Sequence, residues 1–354
     1  MSISDFYNKK RIFITGHTGF KGSWLCFFLQ QMGAITCGYS LQPNNRQKTL
    51  FNSLKVKDFS ENFFEDIIDF SKISYAIKKF NPEIIFHLAA QPLVLESYNN
   101  PLNTFSTNII GTANLLEASR YNKSLRAIIN ITSDKCYENL DDKKEYIESD
   151  KLGGFDPYSA SKSCAEIINK SYQKSFYNDH MKGLSSARAG NVIGGGDFSE
   201  DRLIPDIIKS ITNNKILSIR NPASTRPWQH VFDVIYGYLL LGSHTYNDPS
   251  NFSSSFNFSP RKENCVSVEQ IVEKVKNIKN FNYEFQENQY HESSFLYLNS
   301  EKARSKLNWE NIYNIDETIF IAYDWYNCLI SDNDIYNKSL KQYKNYMERI
   351  DERS

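Results

Sequence analysis

A tyrosine and a lysine four residues apart, Tyr158 and Lys162, carry the clearest chemistry in this sequence. At this spacing both side chains lie on one face of a helix, one turn apart. A phenol is a poor base at neutral pH because its ordinary pKa is about 10. A cation about 4 Å away, at an effective dielectric of about 20, stabilises the phenolate by roughly 4 kcal/mol, or about 3 pKa units. The pair is therefore predicted to act as general acid and base near neutrality.

A glycine-rich turn near the N-terminus predicts a phosphate site. It follows an apolar run, Arg11–Thr15, and precedes a helical pattern. In such a turn the first glycine permits a sharp bend, the second lets a pyrophosphate approach the backbone, and the third lets the helix pack on the strand. The helix N-terminus then faces the phosphates. The candidate cofactor-binding residues are Gly16, His17, Thr18, Gly19, Phe20, Lys21 and Gly22.

The second strand leaves the choice between NAD and NADP open. Its end, residues 39–43, offers no carboxylate to hold a ribose 2′-hydroxyl, and Arg46 nearby could favour a 2′-phosphate. Further along, Asp66 and Ile67 follow a predicted strand and are candidates for contact with adenine.

The elements that position these groups alternate between strand and helix patterns. Predicted strands are Arg11–Thr15, Ala34–Tyr39, Glu83–Ala89, Ala127–Thr132 and Leu184–Ala189, and predicted helices are Gly22–Met32, Ile73–Phe80, Thr107–Arg120 and Tyr158–Phe176. This alternation indicates β-α-β units. We predict an α/β protein, a Rossmann-type doubly wound parallel sheet with a smaller, mostly helical substrate-binding lobe. Residues 1–190, with a later strand near 231–260, form the dinucleotide-binding domain, and residues 191–354 mainly form the lobe.

Composition narrows the class of protein. The chain has 354 residues, of which 40% are hydrophobic and 23% charged, and its formal net charge is zero, which gives no support to nucleic-acid binding. The six cysteines form no C-x-x-C pair, so reduced thiols are expected and neither a metal cluster nor a redox motif is predicted. No apolar run has the length of a signal peptide or a membrane span, which predicts a cytoplasmic protein with no membrane partner.

Several strings resemble the extended short-chain dehydrogenase/reductase family and occur in the order of that family. Besides the glycine turn and the Tyr158–Lys162 pair, they are HLAAQ (87–91), TNIIGT (107–112) and RAGNVIG (188–194). Within the family, Ser133-Asp134-Lys135 is similar to the triplet of dehydratases that act on CDP-sugars, whereas other dehydratases carry Thr-Asp-Glu. The segment 140–148 departs from that branch because it lacks its tryptophans and its arginine.

The resemblance implies a redox-neutral 4,6-dehydration of a nucleotide sugar, with CDP-glucose as substrate and NAD as cofactor, NADP not being excluded. Tyr158, supported by Lys162, takes the proton from the 4-hydroxyl, and Ser133 hydrogen-bonds the same oxygen. Asp134 protonates the departing 6-hydroxyl. Lys135 either takes the C5 proton or only stabilises an enolate, since lysine is mostly protonated at neutral pH.

The resemblance also implies the contacts of both ligands. Leu88, Ala89 and Ala90, with Tyr158 and Lys162, are expected at the cofactor, and Gln91, Asn108, Asn191, Arg202, Arg226 and His230 at the substrate. Arginine suits a diphosphate because its donors form a planar fork. A homodimer or homotetramer is expected, built on helices that include Thr107–Arg120 and Tyr158–Phe176.

Two alternative functions stay open. An epimerase or reductase of the same family needs the serine and the Tyr158–Lys162 pair but no acid–base couple after the serine, so Asp134 and Lys135 argue against it. A binding protein that senses NAD(P) without catalysis is the second alternative. Retention of both Tyr158 and Lys162 argues against that one.

Overall fold

A parallel sheet of seven strands lies at the centre of the computed structural model, which describes residues 2–59, 61–140, 144–177, 181–286 and 296–353. The strands are β1 (Arg11–Thr15), β2 (Ile35–Ser40), β3 (Glu61–Phe64), β4 (Ile84–His87), β5 (Ala127–Ile131), β6 (Gly183–Ala189) and β7 (Ser255–Phe258). Their order is β7-β6-β5-β4-β1-β2-β3, and every pairing is parallel. The predicted fold class is confirmed, and β7 is a late strand within residues 231–260.

The sheet forms because its strands are buried on both faces. Every residue of β4, β5 and β6 is buried, as expected for parallel strands covered by helices on both sides. The chain winds outwards in opposite directions from β1 and β4, which are neighbours in the sheet. In folds of this kind ligands bind at the carboxyl ends of the strands, where the winding reverses. The glycine turn after β1 lies at this point.

Helices cover both faces of the sheet and build the lobe. The α-helices are Ile3–Tyr7, Phe20–Gln31, Asn45–Ser53, Val56–Phe59, Phe70–Phe80, Val94–Asn99, Pro101–Phe105, Gly111–Ser119, Pro157–Phe176, Leu203–Asn213, Val231–Asn247, Pro249–Phe252, Val268–Ile278, Glu301–Leu307, Ile315–Ile330 and Ile335–Asp351. Short 3₁₀ turns span Asp134–Cys136 and Lys262–Asn264. Among the described residues, four short strand pairs lie outside the central sheet: Glu145–Tyr146 with Tyr297–Leu298, Val192–Ile193 with Gln229–His230, Leu217–Arg220 with Tyr283–Gln286, and Thr225–Pro227 with Cys265–Ser267.

The predicted helix Thr107–Arg120 differs from the observed one. Helical structure begins earlier, at Pro101, and passes through a π-helical turn, Ser106–Ile110, before it continues to Ser119. A π-turn adds one residue to the helix, and such turns are frequent at functional sites. Asn108 lies within this turn, and its side chain faces inward.

The C-terminal helices pack against the helix Phe20–Gln31, which follows the glycine turn. The rings of Phe28 and Tyr343 lie 4.8 Å apart, and those of Trp24 and Trp325 lie 6.5 Å apart. The sheet half and the lobe therefore share one apolar core, and the domain boundary near residue 190 stays a prediction.

The described residues also bear on the predicted absences. All six cysteines are free, and none of the described helices is long and apolar enough to cross a membrane. The same residues include no cluster of His, Cys, Asp and Glu that could hold a metal ion. Within the segment 140–148, residues 141–143 lie outside the described part of the chain.

Candidate active site

The glycine turn connects β1 to the helix Phe20–Gln31. Gly16 has a φ of +71°, and a Cβ there would lie 2.7 Å from the backbone nitrogen of Ala89. A Cβ on Gly22 would lie 2.1 Å from the carbonyl oxygen of Gly16, so glycine is required for the helix to close onto the turn. Gly19 faces more open space, and no described side chain caps the helix there. The first N–H groups of the helix are thus available to an anion.

The loop after β4 is fixed against this turn. The Thr15 hydroxyl accepts hydrogen bonds from the backbone N–H groups of Leu88 and Ala89, each at 3.1 Å, and it contacts His87 Nδ1 at 2.7 Å. Burial lowers the pKa of His87 to about 3, so the imidazole is neutral. These contacts hold Leu88 and Ala89 at the wall of the central cleft.

Tyr158 and Lys162 lie on the helix Pro157–Phe176, which Asp156 caps. The Asp156 carboxylate accepts a hydrogen bond of 2.9 Å from the backbone N–H of Ser159, and Pro157 occupies the first helical position. The Lys162 Nζ lies 5.9 Å from the centre of the Tyr158 ring. Both side chains are buried and face the cleft. The predicted helix and the shared face of the pair agree with the structure.

The pKa values of the pair differ from the expectation of a phenol that titrates near neutrality. Burial raises the pKa of Tyr158 to about 12, although a hydrogen bond with Ser133 acts in the opposite direction. Burial also lowers the pKa of Lys162 to about 8. The physical reason is desolvation, which disfavours the phenolate and the ammonium alike. Lys162 alone therefore does not bring the phenol to neutrality.

The triplet Ser133-Asp134-Lys135 follows β5 and forms a 3₁₀ turn. The Ser133 hydroxyl caps this turn by accepting from the Lys135 N–H at 3.2 Å, and it donates to Asp134 Oδ1 at 2.9 Å. Ser133 and Lys135 line the cleft, whereas the buried Asp134 carboxyl lies behind the wall, next to Gly190. Burial raises the pKa of Asp134, and Lys135 and Ser133 only partly offset that effect.

Lys21, from the glycine turn, also reaches this end of the cleft. Its Nζ donates a hydrogen bond of 3.2 Å to the hydroxyl of Tyr238. Burial lowers the pKa of Lys21 to about 7, and the charges of Lys162 and Arg202 act in the same direction. The side chain thus belongs to the electrostatics of the catalytic end as well as to the turn.

The cleft has a volume of about 970 Å³ and collects most of the predicted site residues. Those at its wall are Gly16, Thr18, Gly19, Phe20, Lys21, Gly22, Asp66, Ile67, Leu88, Ala89, Ala90, Gln91, Ser133, Lys135, Tyr158, Lys162, Asn191, Arg202 and Arg226. The far end beyond β2 is bridged by an ion pair between Arg46 and Glu200 of the lobe. Because Glu200 compensates Arg46, this guanidinium is not a free partner for a 2′-phosphate.

Four predicted residues lie away from the cleft wall; one is Asp134. The His17 imidazole is buried and hydrogen-bonded to Asn62 at 2.8 Å, so only its backbone remains for a cofactor. His230 caps the helix Val231–Asn247 by accepting from the Phe232 N–H at 3.2 Å, and burial lowers its pKa to about 3. Its ring packs against Phe232 and Tyr313, away from the cleft wall, and a substrate contact of His230 stays a prediction.

The predicted substrate contact of Asn108 stays a prediction, and in the structure this buried side chain makes its hydrogen bonds within the protein. Its side chain accepts from the backbone N–H of Gln91 at 2.8 Å and donates to the Gln91 carbonyl at 3.1 Å. It also donates to the Ser161 hydroxyl at 2.8 Å, on the helix of Tyr158. Asn108 therefore ties the loop after β4 to the catalytic helix from behind.

A buried ion pair that the sequence analysis missed lies under the triplet. Arg188 NH2 is 2.7 Å from Glu166 Oε2, and both side chains are at most 3% exposed. Burial acts to raise the pKa of Glu166, but Arg188 and hydrogen bonds from Thr132 and Ser186 outweigh it and hold the value below its usual range. The sequence does indicate an inward-facing Glu166, because it lies one helical turn after Lys162 on the same face of the helix.

A Rossmann sheet that carries a glycine turn and a buried Tyr–Lys pair at its carboxyl edge defines the short-chain dehydrogenase/reductase class. The sequence profile of the family described as GDP-mannose 4,6 dehydratase matches residues 13–321, and the chain belongs to this family. The extended short-chain dehydrogenase/reductase resemblance of the motifs is thereby confirmed.

Individual relatives agree with this assignment. The chain is 43% identical to a CDP-glucose 4,6-dehydratase of Salmonella typhimurium over 351 residues, which cover 97% of this chain and 98% of the relative. It is 28% identical to a dTDP-D-glucose 4,6-dehydratase of Dictyostelium discoideum over 264 residues, 71% of this chain and 59% of that one.

Solved structures show the same fold. A UDP-glucuronic acid 4-epimerase of Bacillus cereus superposes with a TM-score of 0.79 at 22% identity, covering 90% of this chain and 99% of that one. A dTDP-glucose 4,6-dehydratase of Bacillus anthracis, solved in complex with NAD, gives a TM-score of 0.77 at 20% identity over 90% and 96% of the two chains.

Proposed function

We propose that this protein is an NAD-dependent 4,6-dehydratase that converts CDP-glucose into CDP-4-keto-6-deoxyglucose. The observation that carries the proposal is the convergence of Ser133, Lys135, Tyr158 and Lys162 on one cleft beside the glycine turn. The 43% identity to a CDP-glucose 4,6-dehydratase over nearly the whole chain supports the choice of reaction and substrate.

The glycine turn fits a dinucleotide on structural grounds. Side chains are excluded at Gly16 and Gly22, and the helix N-terminus at Gly19 is open toward the cleft. Phe20 and Lys21 extend this surface, and Asp66 and Ile67 would meet the adenine. A bound nicotinamide supplies a reversible hydride acceptor. The compensation of Arg46 by Glu200 supports NAD over NADP.

Tyr158 would accept the proton of the sugar 4-hydroxyl, and Ser133 would hydrogen-bond the same oxygen. The contact between the two hydroxyls supports this pairing. Lys162 lowers the cost of the phenolate, and the positive charge of an oxidised nicotinamide would act in the same direction. Together they would offset the desolvation that holds the phenol protonated.

Asp134 would supply the proton for the departing 6-hydroxyl. Its raised pKa suits a carboxyl that must carry a proton near neutrality. The carboxyl accepts a hydrogen bond of 2.9 Å from Ser133, which holds it beside the group that would contact the sugar. Lys135, at the wall, would take the C5 proton or stabilise the enolate.

The lobe side of the cleft would hold the diphosphate. Arg202 and Arg226 line this side together with Asn191. Arg202 pairs with Asp197 at 2.9 Å, and its charge lowers the pKa of Tyr158, so it lies near the catalytic end. A forked guanidinium donor set is suited to a diphosphate.

The test is a substrate survey of the purified protein. CDP-, UDP-, dTDP- and GDP-glucose are each incubated with the enzyme, and the 4-keto product is followed by its absorbance in alkali. Product from CDP-glucose in the presence of sub-stoichiometric NAD is the expected result. Interconversion of sugar epimers without a 6-deoxy product would favour the epimerase alternative, and binding without turnover would favour the sensing alternative.

We further propose that the protein is a homodimer or homotetramer built on the helices around Gly111–Ser119 and Pro157–Phe176. Ile110, directly before the first of these helices, and Ile167, on the second, are 52% and 57% exposed, and burial of both in a subunit contact would remove apolar surface from water. Light scattering of Ile110→Glu/Ile167→Glu should show a smaller species. Ile216→Glu, an equally exposed position in the lobe, is the matched control.

A further inference from the structure

Beyond Arg202 and Arg226 the cleft extends along the lobe, where its wall is largely apolar. Helix Leu203–Asn213 and strand Leu217–Arg220 form this wall. Ile204, Leu217 and Ile219 are each less than 10% exposed and line the cleft. Apolar sides with a few polar groups are typical of a pocket for a planar ring.

Asp206 supplies a carboxyl at this wall. It lies one helical turn after Arg202, whose carbonyl accepts a hydrogen bond of 3.0 Å from the Asp206 N–H. Arg202 is the N-cap of this helix, so Asp206 lies in the first turn, close along the chain to the arginine. The carboxyl lines the cleft and accepts no hydrogen bond from the described residues.

The surroundings of Asp206 disfavour the ionised form of its carboxyl. Burial raises its pKa to about 6, and the charges of Asp201 and Glu200 act in the same direction. Lys209 and Arg220 lower the pKa but do not cancel that effect. The partly buried Asp206 lies at the cleft wall, so a ligand amine at this position could donate to its carboxyl directly.

We propose that Asp206 selects cytosine as the base of the nucleotide sugar by accepting a hydrogen bond from its exocyclic amine. This inference rests on the proposed function. Cytosine presents an N4 amine donor where thymine, and uracil likewise, presents the O4 acceptor. An ionised carboxylate only accepts. Uracil or thymine in the same place would bring its O4 carbonyl against the Asp206 carboxylate, and two acceptors cannot form a hydrogen bond.

The order of groups along the cleft agrees with the order of groups in the substrate. The sugar lies at Tyr158 and the diphosphate at Arg202 and Arg226 in the proposed complex. The base must then lie beyond the arginines, where Asp206 and the apolar wall are found. A carboxylate here repels a diphosphate, so the amine edge of a base is the better partner.

The test compares base selectivity of the wild type and Asp206→Asn. The ratio of kcat/KM for CDP-glucose to that for UDP-glucose should exceed about 10 in the wild type. Asp206→Asn should lower this ratio by about tenfold, because an amide can donate to the uracil carbonyl. Asp201→Asn, which removes the same charge nearby from an exposed ion pair, should leave the ratio within about twofold of the wild type.

Binding of CMP and UMP, measured by calorimetry, separates this inference from the reaction. An unchanged preference for CMP in Asp206→Asn, or an equal change in Asp201→Asn, overturns the role of Asp206. A wild type that turns over none of the nucleotide sugars overturns the proposed function. If CMP is then still preferred over UMP, and only Asp206→Asn removes the preference, the assignment of Asp206 stands.

Discussion

Glu166 and Arg188 form an ion pair of 2.7 Å in the interior, and through it they hold the chain on both sides of the catalytic triplet. Before the triplet, the Thr132 hydroxyl donates to Glu166 at 2.5 Å. After it, Arg188 donates to the hydroxyl of Tyr137 at 2.7 Å. Because Glu166 lies on the helix of Tyr158, the pair fixes the triplet relative to the phenol.

Loss of one partner of this pair should destabilise the fold. Glu166→Gln leaves Arg188 buried without a counter-charge, which typically costs about 3–5 kcal/mol. The double variant Glu166→Leu/Arg188→Met should recover most of that stability, since buried pairs are often replaceable by apolar side chains. Chemical denaturation measures both effects. A single variant as stable as the wild type would show that the pair is not compensating a buried charge.

Tyr158→Phe should abolish turnover and preserve binding. The substitution removes the proton acceptor alone, so kcat should fall by roughly 10²–10⁴-fold, with little change in the Kd of the nucleotide sugar. Lys162→Met should act similarly and move the pH optimum upward, because the phenol then lacks its neighbouring cation. Steady-state kinetics over a pH series, with calorimetry for binding, test this. Near-wild-type turnover of Tyr158→Phe would refute the proton-transfer role.

Asp134→Asn should stop the reaction after oxidation at C4 and before the loss of water. The carboxyl serves the leaving 6-hydroxyl, which becomes relevant only after oxidation at C4. The variant should therefore accumulate bound reduced cofactor, seen by its near-ultraviolet absorbance, without 6-deoxy product. In the wild type, deuterium placed at C4 of CDP-glucose should appear at C6 of the same molecule. Stoichiometric release of reduced cofactor by the wild type would instead indicate an ordinary dehydrogenase.

His230 makes the stability depend on pH. Its folded pKa, about 3, lies below the ordinary value of 6.5, so the unfolded chain binds more protons between these values. Stability from this group is complete above about pH 6.5 and is lost as the pH falls toward 3. His230→Asn keeps a capping side chain but removes the titration. Between pH 4 and 6 the free energy of unfolding of the variant should change less steeply with pH than that of the wild type, with a difference in slope of about 1.4 kcal/mol per pH unit. Urea titrations at a series of pH values measure both slopes. Parallel curves for the two proteins would contradict a neutral buried His230.

The sequence predicted the elements whose patterns are local. The alternation of β1–β5 with helices, the glycine turn and the placement of Tyr158 and Lys162 all depend on short spacings. It did not predict which way Asn108, Asp134 and His230 face, because that depends on partners far along the chain. The raised pKa of Tyr158 could not be predicted from the sequence either, because burial depends on the whole fold.

The π-turn Ser106–Ile110 has a consequence for how this helix can change in evolution. One extra residue is accommodated there, so Thr104 on one side and Thr112 on the other both face inward. Deletion of a single residue would turn the preceding helix by about 100° relative to the following one. Thr104 would then lose its hydrogen bond from Gln91. Point substitutions along this helix are therefore tolerated better than insertions or deletions. A change in helix length would disrupt the site even though it lies far from the reacting atoms.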